Sequence, residues 1–284
     1  LDELRLGVER TLVRAYDGSY GEAWDAAVAA IAEHPLYGGL AMPRIDSCVP
    51  LGPDPTTGLW EFWNFPSGAR PAPREPGGSI RPRSADGLVL VLVPGGRQGE
   101  VDLDPFLVGR FEVTQAQWLR VMGENPALYR AGLVEDAATS PLHPGYLITD
   151  LHPVEYVSWH DAMEFAARTG TELIDELQWF YACRAGTSTR WIWGDAPEDT
   201  AGKANIADAS TSAFGVKMAD WDDGHALHAP VGSFPPNAFG LHDMDGNVSE
   251  WVGDTVVKGD WIGDGVRRQY CGAAFLDRVD QATV

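Results

Sequence analysis

With 32 glycines and 20 prolines among its 284 residues, this chain is interrupted too often to build itself from long helices or strands. Its 11 tryptophans supply the complement, large rings able to pin irregular backbone to a core. A loop-rich fold follows, and an all-helical bundle is excluded. The length suits one large domain or two modest ones. Against 21 Lys and Arg stand 41 Asp and Glu, a formal charge of −20. A surface that tracks nucleic-acid phosphates is therefore not expected, and cations are the better-matched partners. Three cysteines cannot frame a disulfide scaffold, which points to a reducing compartment and a cytoplasmic location. The longest apolar run, Leu88 to Val93, is far too short to cross a bilayer, so membrane insertion is not expected. The first residues carry no secretory signal, and a start at Leu1 rather than Met suggests a trimmed or partial chain.

Apolar residues at helical spacing, Leu4, Val8 and Leu12 and then Trp24, Ala27, Val28 and Ile31, flank a break at Gly18-Ser19-Tyr20-Gly21 and predict a helical hairpin ended by Pro35. Residues 36–85 are dense in Pro and Gly around Trp60, Phe62, Trp63 and Phe65, and read as a segment wrapping a surface. The stretch from Pro71 to Arg83 is the linker candidate, with a boundary near Ala85. Leu88 to Val93, closed by Pro94-Gly95-Gly96, reads as a buried strand, and Phe106 to Val113 as another. Thr114 is placed to cap a short helix ending near Gly123. Ser158, with Asp161 in the first turn, is placed to cap a second. A third helix is expected over Thr171 to Ala182, and few regular elements beyond Gly186.

Several blocks stand in a recognisable order: Phe111-Glu112-Val113-Thr114-Gln115-Ala116-Gln117-Trp118; Pro153 to Ala162, reading PVEYVSWHDA; Glu176 to Arg184, reading ELQWFYACR; Trp193-Gly194-Asp195; Ala204-Asn205-Ile206; and Pro230 to Trp251. Through them residues 86–284 resemble the formylglycine-generating enzyme family, the sulfatase-modifying-factor domain. The resemblance implies an α+β, C-type-lectin-like fold, low in regular structure and often calcium-stabilised. It divides the chain into residues 1–85, a helical hairpin plus Pro/Gly-rich extension, and residues 86–284, the lectin-like domain. The segment from Leu51 to Trp63 resembles an extension found ahead of such domains in bacterial members.

Two cation sites are expected. Asp243 and Glu250 bracket Gly246-Asn247-Val248, so two hard carboxylates flank a tight turn whose carbonyls can add oxygens, the ligand type that Ca²⁺ takes. The resemblance assigns this set to Asp243, Gly246, Val248 and Glu250, and a second to Asn205, Ile206, Asp223 and His225. The alternative for Asn205 and Asp223 is the capping of local turns.

The family's enzymes bind copper(I) through two cysteines after a Gly-Gly-Ser-aromatic motif, and soft thiolates are what that ion requires. Here the motif resembles Gly272-Ala273-Ala274-Phe275, which sets Asp277 and Ala282 at the two cysteine positions. Copper is therefore not expected. Cys271 precedes the motif, and Cys48 and Cys183 lie in other segments, Cys183 reading as a buried small residue. The family continues to a closing strand reading Gly-Phe-Arg, whereas this chain stops at Val284. No His-x-x-x-His-x-Glu triplet, Gly-x-Ser-x-Gly elbow or phosphate loop is present. The leading reading is a non-catalytic binding protein for a protein or other macromolecule. Its surface is Trp261, Arg267, Gln269, Tyr270, Cys271, Asp277, Arg278, Asp280 and Gln281, aromatic and arginine anchors among polar residues. This combination resembles the variable proteins of diversity-generating retroelements. The competing reading is a formylglycine-generating-type oxidase whose cysteines lie outside this chain.

Overall fold

A computed structural model of the chain describes residues 20–74, 78, 80–131, 147–214, 219–256 and 267–278. The first expected helix, at Leu4, Val8 and Leu12, lies outside these residues, as do Pro76 and Gly77 of the expected linker. Its partner forms: α1 (Gly21–Glu33) buries Trp24, Ala27 and Ile31 at spacings of three and four, and His34 closes it ahead of Pro35.

The Pro/Gly-rich segment does more than wrap a surface. It supplies β1 (Cys48–Pro53) and β2 (Trp60–Asn64), which continue into β3 (Val89–Val93) and β6 (Phe106–Gly109) as one antiparallel sheet in the order β1-β2-β3-β6. Phe62 faces Leu90 across the β2–β3 pair, and the Trp24 ring lies 5.4 Å from the Phe62 ring, so α1 packs on this sheet. The physical reason is alternation: Phe62 and Trp63 are both buried because the sheet has a core on each face.

The strand expected as far as Val113 stops at Gly109 because Arg110 turns into a buried ion cluster. Its guanidinium, only 4% exposed, bonds Asp54 Oδ2 at 2.9 Å and also the Glu61 carboxylate, while Arg74 Nη2 reaches Glu61 Oε2 at 2.6 Å. The pairing holds the Asp54 carboxyl below its usual range although burial opposes it. Segments on either side of residue 85 thus share a sheet and a charge network. Two short strands, β4 (Gly96–Gln98) and β5 (Val101–Leu103), form a hairpin between β3 and β6.

Three capped helices follow. Thr114 caps α2 (Gln115–Met122) and Ser158 caps α3 (Trp159–Thr169), each in a reciprocal capping box, with Gln117 and Asp161 returning the bond. The third, α4 (Glu176–Arg184), starts later than Thr171 because Asp175 and Gln178 make a stronger cap, and Thr171 instead donates to the Ala166 carbonyl at the end of α3. Trp118 of α2 stacks on Phe165 of α3 at 5.2 Å, at the core between helices and sheet. Beyond α4 the described backbone is mostly turns and short 3₁₀ segments until the hairpin β7 (Glu250–Val256) and β8 (Arg267–Cys271).

Candidate cation centre and ligand surface

The irregular part of the chain converges on Asn247, fully buried and held at φ 77°. Its backbone N–H donates to Asn205 O at 2.8 Å, and its carbonyl accepts from Phe275 N at 3.0 Å. Its side-chain oxygen accepts from Ala229 N (2.7 Å) and Asn205 Nδ2 (3.0 Å), while Nδ2 donates to Glu112 Oε2 (2.6 Å) and Ala229 O (3.2 Å). One residue therefore ties its own loop to the segments of Glu112, Asn205, Ala229 and Phe275, which is how a fold with little regular structure satisfies its buried polar groups. Gly246 allows the close approach, since a Cβ there would meet Asn205 O at 2.6 Å.

Around this hub sit three carboxylates. Glu112 accepts from Val248 N at 3.1 Å, Asp243 Oδ2 accepts from Gly232 N at 2.7 Å, and Glu250 Oε2 accepts from Trp179 Nε1 at 2.5 Å. Asp243 Oδ1 is buried with no hydrogen-bond partner. Burial pushes Glu250 up to about 7. Burial, and then the neighbouring Glu250, push Asp243 up to about 7. Burial followed by Asp243 and Glu250 holds Glu112 well above the usual carboxylate range. Three acids that repel one another in a low-dielectric pocket fit a hard cation, and the orphan Asp243 oxygen marks an open coordination. Asp243 and Glu250 are near enough for the one carboxylate to act on the other. Glu112 is an addition, a lone acid in the apolar run Phe111-Glu112-Val113 just ahead of a helix cap.

The second set lies beside a further acid cluster. Asn205 spends its Nδ2 on Leu227 O and Asn247, leaving its Oδ1 buried without a partner, and the His225 carbonyl accepts from Ser210 Oγ at 3.0 Å. Carboxylate oxygens of Asp208, Asp222 and Asp223 lie within 4.8 Å of one another. Asp223 and Asp222 also close local turns, at His225 N (2.8 Å) and Gly224 N (2.9 Å), as the alternative reading holds. Asp223 Oδ2 is buried without a hydrogen bond, and burial pushes its carboxyl to about 7. A cation suits this cluster too, with Asp208, three residues after Asn205, as the ligand that the sequence reading omitted.

All three cysteines are buried and free. Burial pushes Cys48 to about 11 and Cys271 to about 12, and holds Cys183 well above the thiol range, so none is a thiolate near neutral pH. Asp277, at the first expected cysteine position, uses its carboxylate to accept from Ala274 N at 2.8 Å, closing the turn after Gly272.

Of the expected ligand surface, Trp261, Asp280 and Gln281 lie outside the described residues, as does Ala282, and Arg267 is described only as backbone in β8. Tyr270 is 57% exposed and Arg278 is exposed, while Gln269 is half-buried and donates to Glu176 Oε1. Cys271 requires correction: strand alternation turns Tyr270 outward and Cys271 into the core, so its thiol is no part of the surface. Phe275 is core, edge-on to Tyr129 and His228. Residues far away in sequence join Tyr270. Trp251 meets its ring edge-on at 5.9 Å and donates Nε1 to Val157 O at 3.0 Å, and the Arg268 guanidinium lies 4.3 Å over the Trp159 ring. Next to Val157, Tyr156 is 80% exposed and sits at φ 62°, a conformation that costs a bulky side chain free energy.

Sheet, capped helices and long irregular loops define an α+β, C-type-lectin-like domain in which irregular segments carry the site. The sulfatase-modifying factor enzyme 1-like domain matches residues 76–284, and the chain belongs to that family. It is similar to the formylglycine-generating enzyme of Thermomonospora curvata, 38% identical over 118 residues, covering 40% of this chain and 38% of that protein. It is also similar to the formylglycine-generating enzyme of Mus musculus, 38% identical over 104 residues, covering 36% of this chain and 27% of that protein. The inactive C-alpha-formylglycine-generating enzyme 2 of Bos taurus is 33% identical over 130 residues, covering 45% and 40%. The chain thus matches well under half the length of these relatives. Among solved structures, Treponema denticola variable protein 1 aligns over 69% of this chain and 87% of its own, with TM-score 0.48 and 18% identity.

Proposed function

We propose that this chain is a non-catalytic, calcium-stabilised member of its family that binds a macromolecular ligand, most directly a protein. The observation that carries the reading is the replacement of the first expected copper ligand by Asp277, whose carboxylate is committed to the turn at Ala274, in a chain whose cysteines are buried as neutral thiols. The ligand surface is the outer side of the β7–β8 hairpin and the adjoining loop: Tyr270, Trp251, Arg268 and Tyr156, with Arg278 beyond the turn. Exposed aromatics and an arginine on rigid backbone are the makeup of an interaction hot spot. The strained, exposed Tyr156 contributes nothing to the core that would offset its conformation. The two acid clusters would hold calcium, Glu112, Asp243 and Glu250 in one and Asp208, Asp222 and Asp223 in the other. An ion there would neutralise the acids and fix the loops that support the surface. Diversification of the C-terminal segment is part of this reading, and a reverse transcriptase with a matching template repeat beside the gene would support it.

The test is oxidation of a Cys-x-Pro-x-Arg peptide with copper and oxygen supplied, followed by mass spectrometry. No conversion to formylglycine is expected. Catalytic conversion would overturn the proposal in favour of an oxidase. Photo-crosslinkers at positions 270 and 156 should capture the same single partner, and a crosslinker at the exposed Leu36 should not.

A further inference from the structure

The core is not closed. Between the sheet and helices α2 to α4 lies a cavity of about 700 Å³. Leu88, just ahead of β3, and Leu90 and Leu92 within it form one wall, and Trp118, Phe165 and Trp179 stand among the helix-borne residues that line it. These side chains are buried, whereas Pro43, Gly170 and Glu172 on its rim are exposed and mark a mouth between two loops. Protein interiors are packed to the density of organic crystals, and a dry void of this size is many times what a fold sustains. Its volume falls in the range of sites that enclose small ligands, which are mostly apolar with a few polar groups.

The lining also specifies charge. Among the described residues it contains no Lys, Arg or His, and its ionisable groups other than the Cys48 thiol are Glu112, Glu172 and Glu250. A carboxylate or phosphate head would enter with no cationic side chain to meet it, so fatty acids and phospholipids are disfavoured. Ser249, Thr171 and Gln178 offer neutral polar groups to a hydroxyl or amide. We propose that this cavity is a binding site for an uncharged, largely apolar small molecule carrying at most a neutral polar group. The cavity shares Trp251 with the Tyr156–Tyr270 surface and Glu112 and Glu250 with the acid cluster, but the inference is drawn from its volume and lining and does not rest on that reading.

Titration of the full chain with the uncharged probe N-phenyl-1-naphthylamine tests it, with the anionic cis-parinaric acid in parallel. One saturable site for the neutral probe is expected, with quenching of tryptophan emission from Trp118 and Trp179, and at least tenfold weaker binding of the anionic probe. Ala166→Trp on α3, where Ala166 lines the cavity, should lower affinity for the neutral probe at least tenfold while circular dichroism and melting hold. Should that variant fail to fold, Ala162→Phe on the same wall serves in its place. Absence of saturable binding, affinity unmoved by the filling variant, or preference for the anion each overturns the proposal.

Discussion

Glu250→Gln should reverse its effect on stability according to whether calcium is present. The amide oxygen can keep the acceptor role toward Trp179 Nε1, so the change removes charge with little loss of shape. In chelator at pH 8 the wild-type carboxylate is ionised in a half-buried position. A folded-state value pushed from 4.5 to about 7 means that stability present at low pH is lost as pH rises through 7, a cost of about 3 kcal/mol. The neutral amide escapes most of that cost, and at roughly 2–4 °C per kcal/mol for a domain of this size the variant should melt about 5 °C or more above wild type. In calcium the order inverts. An ion at a thousandfold excess over its dissociation constant stabilises wild type by about 4.1 kcal/mol, hence by about 8–16 °C, whereas the variant has lost a hard ligand and a charge and should gain little. Differential scanning calorimetry of both proteins, with chelator and with millimolar calcium, supplies the four melting temperatures. A variant that melts lower in chelator and gains the same increment from calcium would refute the reasoning, because the acids would then be neither in conflict nor in service of a cation.

Arg110→Met should cost about 3–5 kcal/mol, measured by denaturant unfolding, because it leaves Asp54 and Glu61 buried with only Arg74 to answer them; a cost under about 1 kcal/mol would show that the cluster does not join the two segments. His152 is fully buried and pushed down to about 4 by burial and then by His228, so the unfolded chain takes up a proton near 6.5 that the folded chain refuses. Stability should therefore fall by about 3 kcal/mol as pH drops from about 6.5 to about 4, and His152→Gln should flatten that part of the pH profile.

Local chemistry was legible in the sequence. Thr114 and Ser158 announce their helices because a cap is decided within four residues, and both capping boxes form where the pattern places them. The buried run Leu88 to Val93 is legible as a continuous apolar stretch closed by Pro94-Gly95-Gly96. Illegible features depend on partners far along the chain. Glu112 bonds residues 135 and 136 positions away, so nothing near it distinguishes it from an ordinary strand-end acid. The strands β1 and β2 were hidden by the prolines and glycines around them, and only pairing with β3 reveals Phe62 as core. Asp208 was missed because its carboxylate meets those of Asp222 and Asp223 only through the fold, with no local pattern to mark it.

The same division would let a family built around an oxidase site yield the binding protein proposed above. The residues that hold the lectin-like domain together point inward: Asn247 and the loops it joins, Trp179 on Glu250, Cys271 and Phe275 in the core. The chemistry-bearing positions lie on the outward side of the hairpin or in the turn after it, and Asp277 shows that a turn can keep its shape with a carboxylate where a thiolate would serve copper. Energetic coupling between the two sets is small where they share no contacts. Tyr270→Ala should accordingly change stability by no more than about 0.5 kcal/mol, since the ring is mostly solvated, and still abolish capture of the partner. Loss of stability and binding together would mean that the outer face is part of the scaffold and that the surface could not have changed function while the fold stood still.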